Sequence, residues 1–142
     1  MAHLRFVEGV RLNLASPAIA AILWGVQTWA ARDEVQAALA PGTDVTITSG
    51  CDREHSRNPL SRHYTDEALD LRVHNLAEDA RERLRGLLEA VLNHGREHLI
   101  FRVLHENVGT PNEHLHCQVR QGMRFPGELA PVGPRTLAPP TE

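Results

Sequence analysis

The stretch AEDARERLRGLLEAVLNHG, residues 77–95, carries acids at its start and Leu84, Leu87, Leu88, Val91 and Leu92 along one side at helical spacing. A helix with a single apolar stripe must lay that stripe on another surface. The early acids suit the positive end of the helix dipole, and Gly95 supplies the stop. Four short segments read as strands that can offer the facing surface: DVTITSG at 44–50, ALDLRV at 68–73, LIFRVL at 99–104 and HLHCQV at 114–119. A second helix is predicted from Ser16-Pro17, a capping hydroxyl followed by a proline suited to the first turn. Its apolar positions Ile19, Ile22, Leu23, Val26, Trp29 and Ala30 continue the rhythm to about Ala40, where Pro41-Gly42 ends it. Gly25 weakens it from inside. The sum is an α+β fold: a small, largely antiparallel sheet with helices packed on one face.

At 142 residues and 42% hydrophobic, the chain is sized for one domain with a single core. The predicted domain runs from 1 to 125. Residues 126–142 hold five of the nine prolines and read as an extended tail. A net charge of −3 argues against nucleic acid as the main partner. All 15 basic residues are arginines, which excludes a phosphate-loop lysine or a Schiff base. The longest apolar run near the start, AIAAILWGV at 18–26, is too short to span a bilayer, and it continues in helical rhythm rather than into a cleavage site. The expectation is therefore a protein made in the cytoplasm, with no membrane partner. Cys51 and Cys117 are too few for a disulfide scaffold and are free to pair or stay reduced.

The chemistry concentrates in two places. In SRHYTDEALDLR, residues 61–72, His63 and Asp70 stand seven apart. On one continuous strand they would lie roughly 23 Å apart, at about 3.3 Å per residue. On a helix the gap is still roughly 10 Å, at about 1.5 Å per residue. Metal–ligand bonds are only about 2.0–2.2 Å long, so both can touch one ion only if the chain reverses between them. Tyr64-Thr65-Asp66-Glu67 has the polarity for that turn, and Ala68 leaves room beside Asp70. In PNEHLHCQ, residues 111–118, His114 and His116 share one face of a strand while Leu115 and Cys117 point to the core. Glu113 precedes the strand and can turn toward the same pocket from the loop. A carboxylate beside a metal-activated water is what metal-assisted hydrolysis needs.

The ordered set of Ser61, His63-x6-Asp70 and Glu113-x2-His116, with ITSG upstream, resembles the zinc peptidases of the D-Ala-D-Ala carboxypeptidase group. These M15 peptidases include phage endolysins and share a core with lysostaphin-type and hedgehog proteins. The resemblance spans about residues 17–120. It implies a hydrolase that cleaves an amide bond in bacterial peptidoglycan peptides, as carboxypeptidase or endopeptidase. It implies Zn2+ held by His63, Asp70 and His116 with an open fourth place. By the same resemblance Glu113 is the general base, Ser61 binds the substrate peptide, and Arg53 matches the family arginine that steadies a carboxylate or oxyanion. Three departures accompany it. Asp66 replaces the family glycine. Arg53 sits one residue late, so Arg57 and Arg62 are alternatives. His114 is a rival base, as the first histidine of H-x-H is in lysostaphin-type relatives. A phage-encoded enzyme acting at the cell wall fits this reading.

A second reading, from another class, is a non-catalytic metal-binding module, structural or cell-wall-binding. His3, His94 and His98 are expected at the surface, His55 in solvent, and His105 as a strand-end residue, with a contact to a metal ligand as the alternative. Trp24 and Trp29 are expected in the core or on a packing face.

Overall fold

A computed structural model describes residues 2–50, 61–63, 67–125 and 128–129. Strands β1 (Leu4–Phe6), β2 (Val45–Ser49), β3 (Ala68–Arg72), β4 (Phe101–Glu106) and β5 (His114–Val119) form one sheet in the order β1-β2-β3-β5-β4. The pairing is antiparallel except for β1 against β2. Helices α1 (Pro17–Ala30), α2 (Asp33–Ala38) and α3 (Arg81–Asn93) complete the α+β fold. A hairpin of β6 (Met123–Arg124) and β7 (Glu128–Leu129) follows the sheet.

Period-two alternation decides which side of the sheet is dry. Leu69, Leu71, Val103, Leu115, Cys117 and Val119 are buried and meet Leu84, Leu88 and Leu92 of α3 and Ile19, Ile22 and Val26 of α1. The residues between them, Asp70, His114, His116 and Gln118, therefore belong to the other face. Cross-strand register sets three rows there: Arg72–His114–Glu106, Asp70–His116–Leu104 and Ala68–Gln118–Arg102. The helices cover one face and leave the other to the polar groups.

The cap on α1 forms as expected, with the Ser16 hydroxyl accepting the Ile19 N–H at 3.3 Å. The predicted single helix to residue 40 divides, because Arg32 takes an extended conformation (ψ 143°) and α2 restarts with Asp33 and Glu34 at its positive end. Gly25 has a packing reason: a Cβ there would come within 2.3 Å of Leu92 Cδ2, so its absence lets α1 and α3 approach closely. Trp29 is buried and donates its indole N–H to the Leu84 carbonyl at 3.0 Å. Trp24, expected to pack, is 73% exposed, since it projects from the opposite side of α1. The predicted helix at 77–95 begins as a 3-10 turn, Glu78–Ala80, and is α-helical only from Arg81 to Asn93.

Two elements were not anticipated. The three residues of β1 are too short for a periodic signal, and they pair in parallel with a strand some forty positions later. The β6–β7 hairpin carries ordered backbone past the predicted boundary at 125, to residue 129. The remaining tail residues, 130–142, lie outside the described residues. Cys117 is a free thiol buried in the core, where desolvation raises its pKa well above the usual thiol range. Cys51 lies outside the described residues.

Candidate metal centre

His63 and Asp70, seven positions apart, lie against each other, and the two are joined by His116 from the neighbouring strand. His63 Nε2 lies 3.2 Å from Asp70 Oδ1 and 3.2 Å from His116 Nδ1, while His116 Nδ1 lies 2.9 Å from Asp70 Oδ1. All three residues are buried. Asp70 and His116 reach each other because they are direct cross-strand partners on β3 and β5. His63 comes from the loop before β3. Its backbone N–H donates to the Ser61 hydroxyl at 3.3 Å, so Ser61, assigned to substrate by resemblance, is engaged in placing a site residue.

The far nitrogen of each imidazole is anchored, and the anchors decide which atom faces inward. His63 Nδ1 donates to the Gly50 carbonyl at 2.8 Å, since a carbonyl can only accept; the Nε2 lone pair of the neutral ring therefore points to the cluster. His116 Nε2 donates to Gln118 Oε1 at 2.8 Å, and Gln118 Nε2 donates to the Val119 carbonyl at 3.1 Å, which orients the amide. His116 Nδ1 is then the inward lone pair. The backbone of Arg11 crosses directly over Gly50: a Cβ on residue 50 would lie 2.4 Å from the Arg11 carbonyl oxygen. A register shift between Ile47 and Ser49, a β-bulge, precedes this contact.

Two imidazole lone pairs and a carboxylate oxygen thus converge, and a cation between them relieves their mutual repulsion. Burial opposes ionisation of Asp70, but its contacts with His116 and His63 outweigh it and hold the carboxyl far below its ordinary range. Burial likewise opposes charging of His116, yet its bond to Asp70 raises its pKa overall. These three groups can hold a metal ion, their ligating atoms all lying within 4.8 Å of one another.

His114 belongs to the same face. Its Nε2 lies 3.1 Å from Glu106 Oε1, its partner across the β4–β5 ladder, and 3.8 Å from Asp70 Oδ1. Its Nδ1 meets the Asn112 carbonyl at 2.7 Å. The Glu106 hydrogen bond leads the causes that raise the His114 pKa to about 9, with burial opposing and Asp70 adding to the rise. Glu106 itself is lowered, first by that bond.

Glu113 is not brought to the cluster. Its carboxylate accepts from Arg81 Nη1 at 3.1 and 3.2 Å, from His105 Nε2 at 2.6 Å and from the Gly109 N–H at 3.1 Å. His105 pairs with Leu115 on the core-facing side, and Arg81 opens α3, so Glu113 lies on the helix side of the sheet. The expectation that it turns to the pocket fails for a plain reason. Residue 113 keeps the alternation of the strand it precedes and shares the side of Leu115. Its pKa is lowered: burial acts against ionisation, and the His105, Gly109 and Arg81 contacts more than compensate.

Arg53, Arg57 and His55 lie outside the described residues, as does Asp66. Arg62 is tied to Glu67 and to the Arg120 and Met123 carbonyls, bracing the loop rather than facing the cluster. His105 serves Glu113 and no metal-facing residue, while His3, His94 and His98 are exposed as expected. Sequence reading passed over Gly50, Gln118 and Glu106. A signal existed for two of them: Gln118 continues the same-face series 114, 116, 118, and Glu106 is a carboxylate one hairpin away from His114. The chain matches no protein-family model, no curated protein and no solved structure. No helix among the described residues is long and apolar enough to cross a membrane.

Proposed function

We propose that the protein is a zinc-dependent peptidase that hydrolyses an amide bond in bacterial peptidoglycan peptides. The observation that carries this reading is the convergence of two oriented imidazole lone pairs and one carboxylate, with a fourth residue, His114, alongside. Zinc bonds of about 2.0–2.1 Å at tetrahedral angles separate ligand atoms by about 3.3 Å, close to the spacing of the cluster. Nitrogen and oxygen donors in a set of three suit a catalytic rather than a closed structural zinc site. The metal, when bound, supplies a Lewis acid for the scissile carbonyl and acidifies water in the open position.

The remaining steps fall to the chain. His114, rather than Glu113, is the base: in its neutral form Nε2 takes the proton of the attacking water and passes it to the leaving amine. The Asn112 carbonyl, which accepts from Nδ1–H, orients that ring, and Glu106 accepts from Nε2 once it is protonated and stabilises the imidazolium that forms. A positive ion bound at Asp70 offsets the carboxylate that helps hold His114 protonated, drawing its pKa toward neutrality. The peptidoglycan substrate and the amide-hydrolase class rest on the likeness of the ordered residues to the D-Ala-D-Ala carboxypeptidase group. The commitment of Glu113 to Arg81 and His105 favours one competing reading, a non-catalytic metal-binding module.

Digestion of purified peptidoglycan with wild type, His114→Ala and His116→Ala, each with and without chelator, separates the two. The proposal expects chelator-sensitive cleavage by wild type alone. His114→Ala keeps stoichiometric zinc but loses about 100-fold or more in rate, and His116→Ala loses the zinc. Stoichiometric zinc with no amide cleavage by wild type would leave the metal-binding module standing. Zinc retained by His116→Ala would overturn the ligand set.

A further inference from the structure

Among the described residues the sheet ends at β4, whose outer edge carries backbone groups that β5 does not use. Such an edge is a template for pairing with another chain. Here the outward groups of two successive outward residues are met by side chains of α3. The Phe101 N–H donates to Asn93 Oδ1 at 2.9 Å, and the Phe101 carbonyl accepts from Asn93 Nδ2 at 3.0 Å. The Val103 N–H donates to Glu89 Oε1 at 2.9 Å, and the Val103 carbonyl accepts from Arg85 Nη1 at 3.0 Å.

Positions 85, 89 and 93 are spaced four apart, which advances a helix by about 6 Å. Successive outward residues of a strand are about 6.6–6.8 Å apart, so one helix turn matches one rung of the ladder. The Asn93 amide gives the strand one donor and one acceptor, as a peptide group does, and its Nδ2 also donates to the Glu89 carbonyl at 2.9 Å. Arg85 and Glu89 share the second rung and stand 3.5 Å from each other.

We propose that Arg85, Glu89 and Asn93 act together as a substitute sixth strand that closes the β4 edge to a second copy of this chain. A second copy is the natural occupant because an antiparallel edge is self-complementary under a two-fold axis. An axis at Val103 sets Phe101 opposite the partner's His105, whereas an axis at Arg102 would place two like charges face to face. A groove of about 520 Å³ lined by Arg85, Glu89, Leu99 and Val103 runs beside the edge and leaves space for the approach. Among the described residues, side chains alone stand between this edge and a partner.

The test compares full-length wild type with Glu89→Ala/Asn93→Ala, by light scattering across a concentration series and by amide hydrogen exchange. Wild type is expected to be unpaired at β4, with the Phe101 and Val103 amides protected despite their place on an edge. In the dilute double variant both amides exchange about tenfold faster or more, the loss of one net hydrogen bond each. When concentrated, that variant dimerises and regains the protection. The proposal is overturned if the wild-type amides exchange freely, if wild type itself pairs through β4, or if the folded variant stays monomeric at every concentration. Asn93→Ala alone is the milder change should the double variant fail to fold. It exposes Phe101 and spares Val103, and unchanged protection at Phe101 in it rejects the idea.

Discussion

Replacing Glu113 with glutamine separates the two sides of the sheet. The Glu113 side chain is 4% exposed and faces Arg81 and His105, themselves 13% and 14% exposed. Neutralising it leaves a largely buried guanidinium without its counter-charge and turns one face of the amide, a donor, toward donors. Hydrogen bonds to charged groups are worth about 1.5–3 kcal/mol each, and breaking a buried pair from one side costs about 3–5 kcal/mol. The glutamine oxygen still accepts from one partner, so a net loss of about 3 kcal/mol is expected. For a chain of this length each kcal/mol moves the melting temperature by about 3–4 °C, giving a fall of about 10 °C. Thermal melts of Glu113→Gln, Arg81→Met and the double variant measure it, with the double variant less destabilised than the sum. Zinc stoichiometry and the rate per folded molecule stay at wild-type values, because the carboxylate lies across the sheet from the cluster. A variant that melts like wild type yet loses turnover would refute this placement and restore Glu113 as the base.

Gln118→Leu removes the acceptor that fixes the His116 ring, so zinc affinity falls about 10- to 100-fold in competition titrations, while Gln118→Glu retains it. Gly50→Ala sets a Cβ 2.4 Å from the Arg11 carbonyl oxygen and 2.5 Å from Leu12 Cδ2. It is expected to cost about 1–3 kcal/mol in urea denaturation and to weaken zinc binding through the displaced His63 anchor. In chelated protein the raised His114 pKa stabilises the fold in full below 6.5, and this contribution is lost as pH rises through about 9. The melting temperature of the chelated protein therefore declines across that window. Glu106→Gln removes the leading cause of the shift, and its melting curve is flatter there.

Much of this architecture is legible in the residues because short-range periodicity reports on faces. The stripe Leu84, Leu88, Leu92 and the alternation of Leu115 and Cys117 with His114 and His116 each record a boundary between dry and wet, and that boundary exists before any tertiary contact is known. The demand that the chain reverse between His63 and Asp70 follows likewise from bond lengths and residue rise. The same alternation, carried one step before the strand, places Glu113 on the side of Leu115, where it meets Arg81 and His105.

Other features depend on which strands become neighbours, and no local pattern encodes that choice. Asp70 meets His116, and His114 meets Glu106, only through the register of β3, β5 and β4. The Gly50 carbonyl reaches His63, and the N-terminal segment crosses over residue 50, only in the folded chain; β1 exists only through β2. Sequence alone determined the faces and the residue types available for chemistry. The tertiary fold decided which of them touch, because contact between distant residues is set by the one packing that buries the apolar faces together.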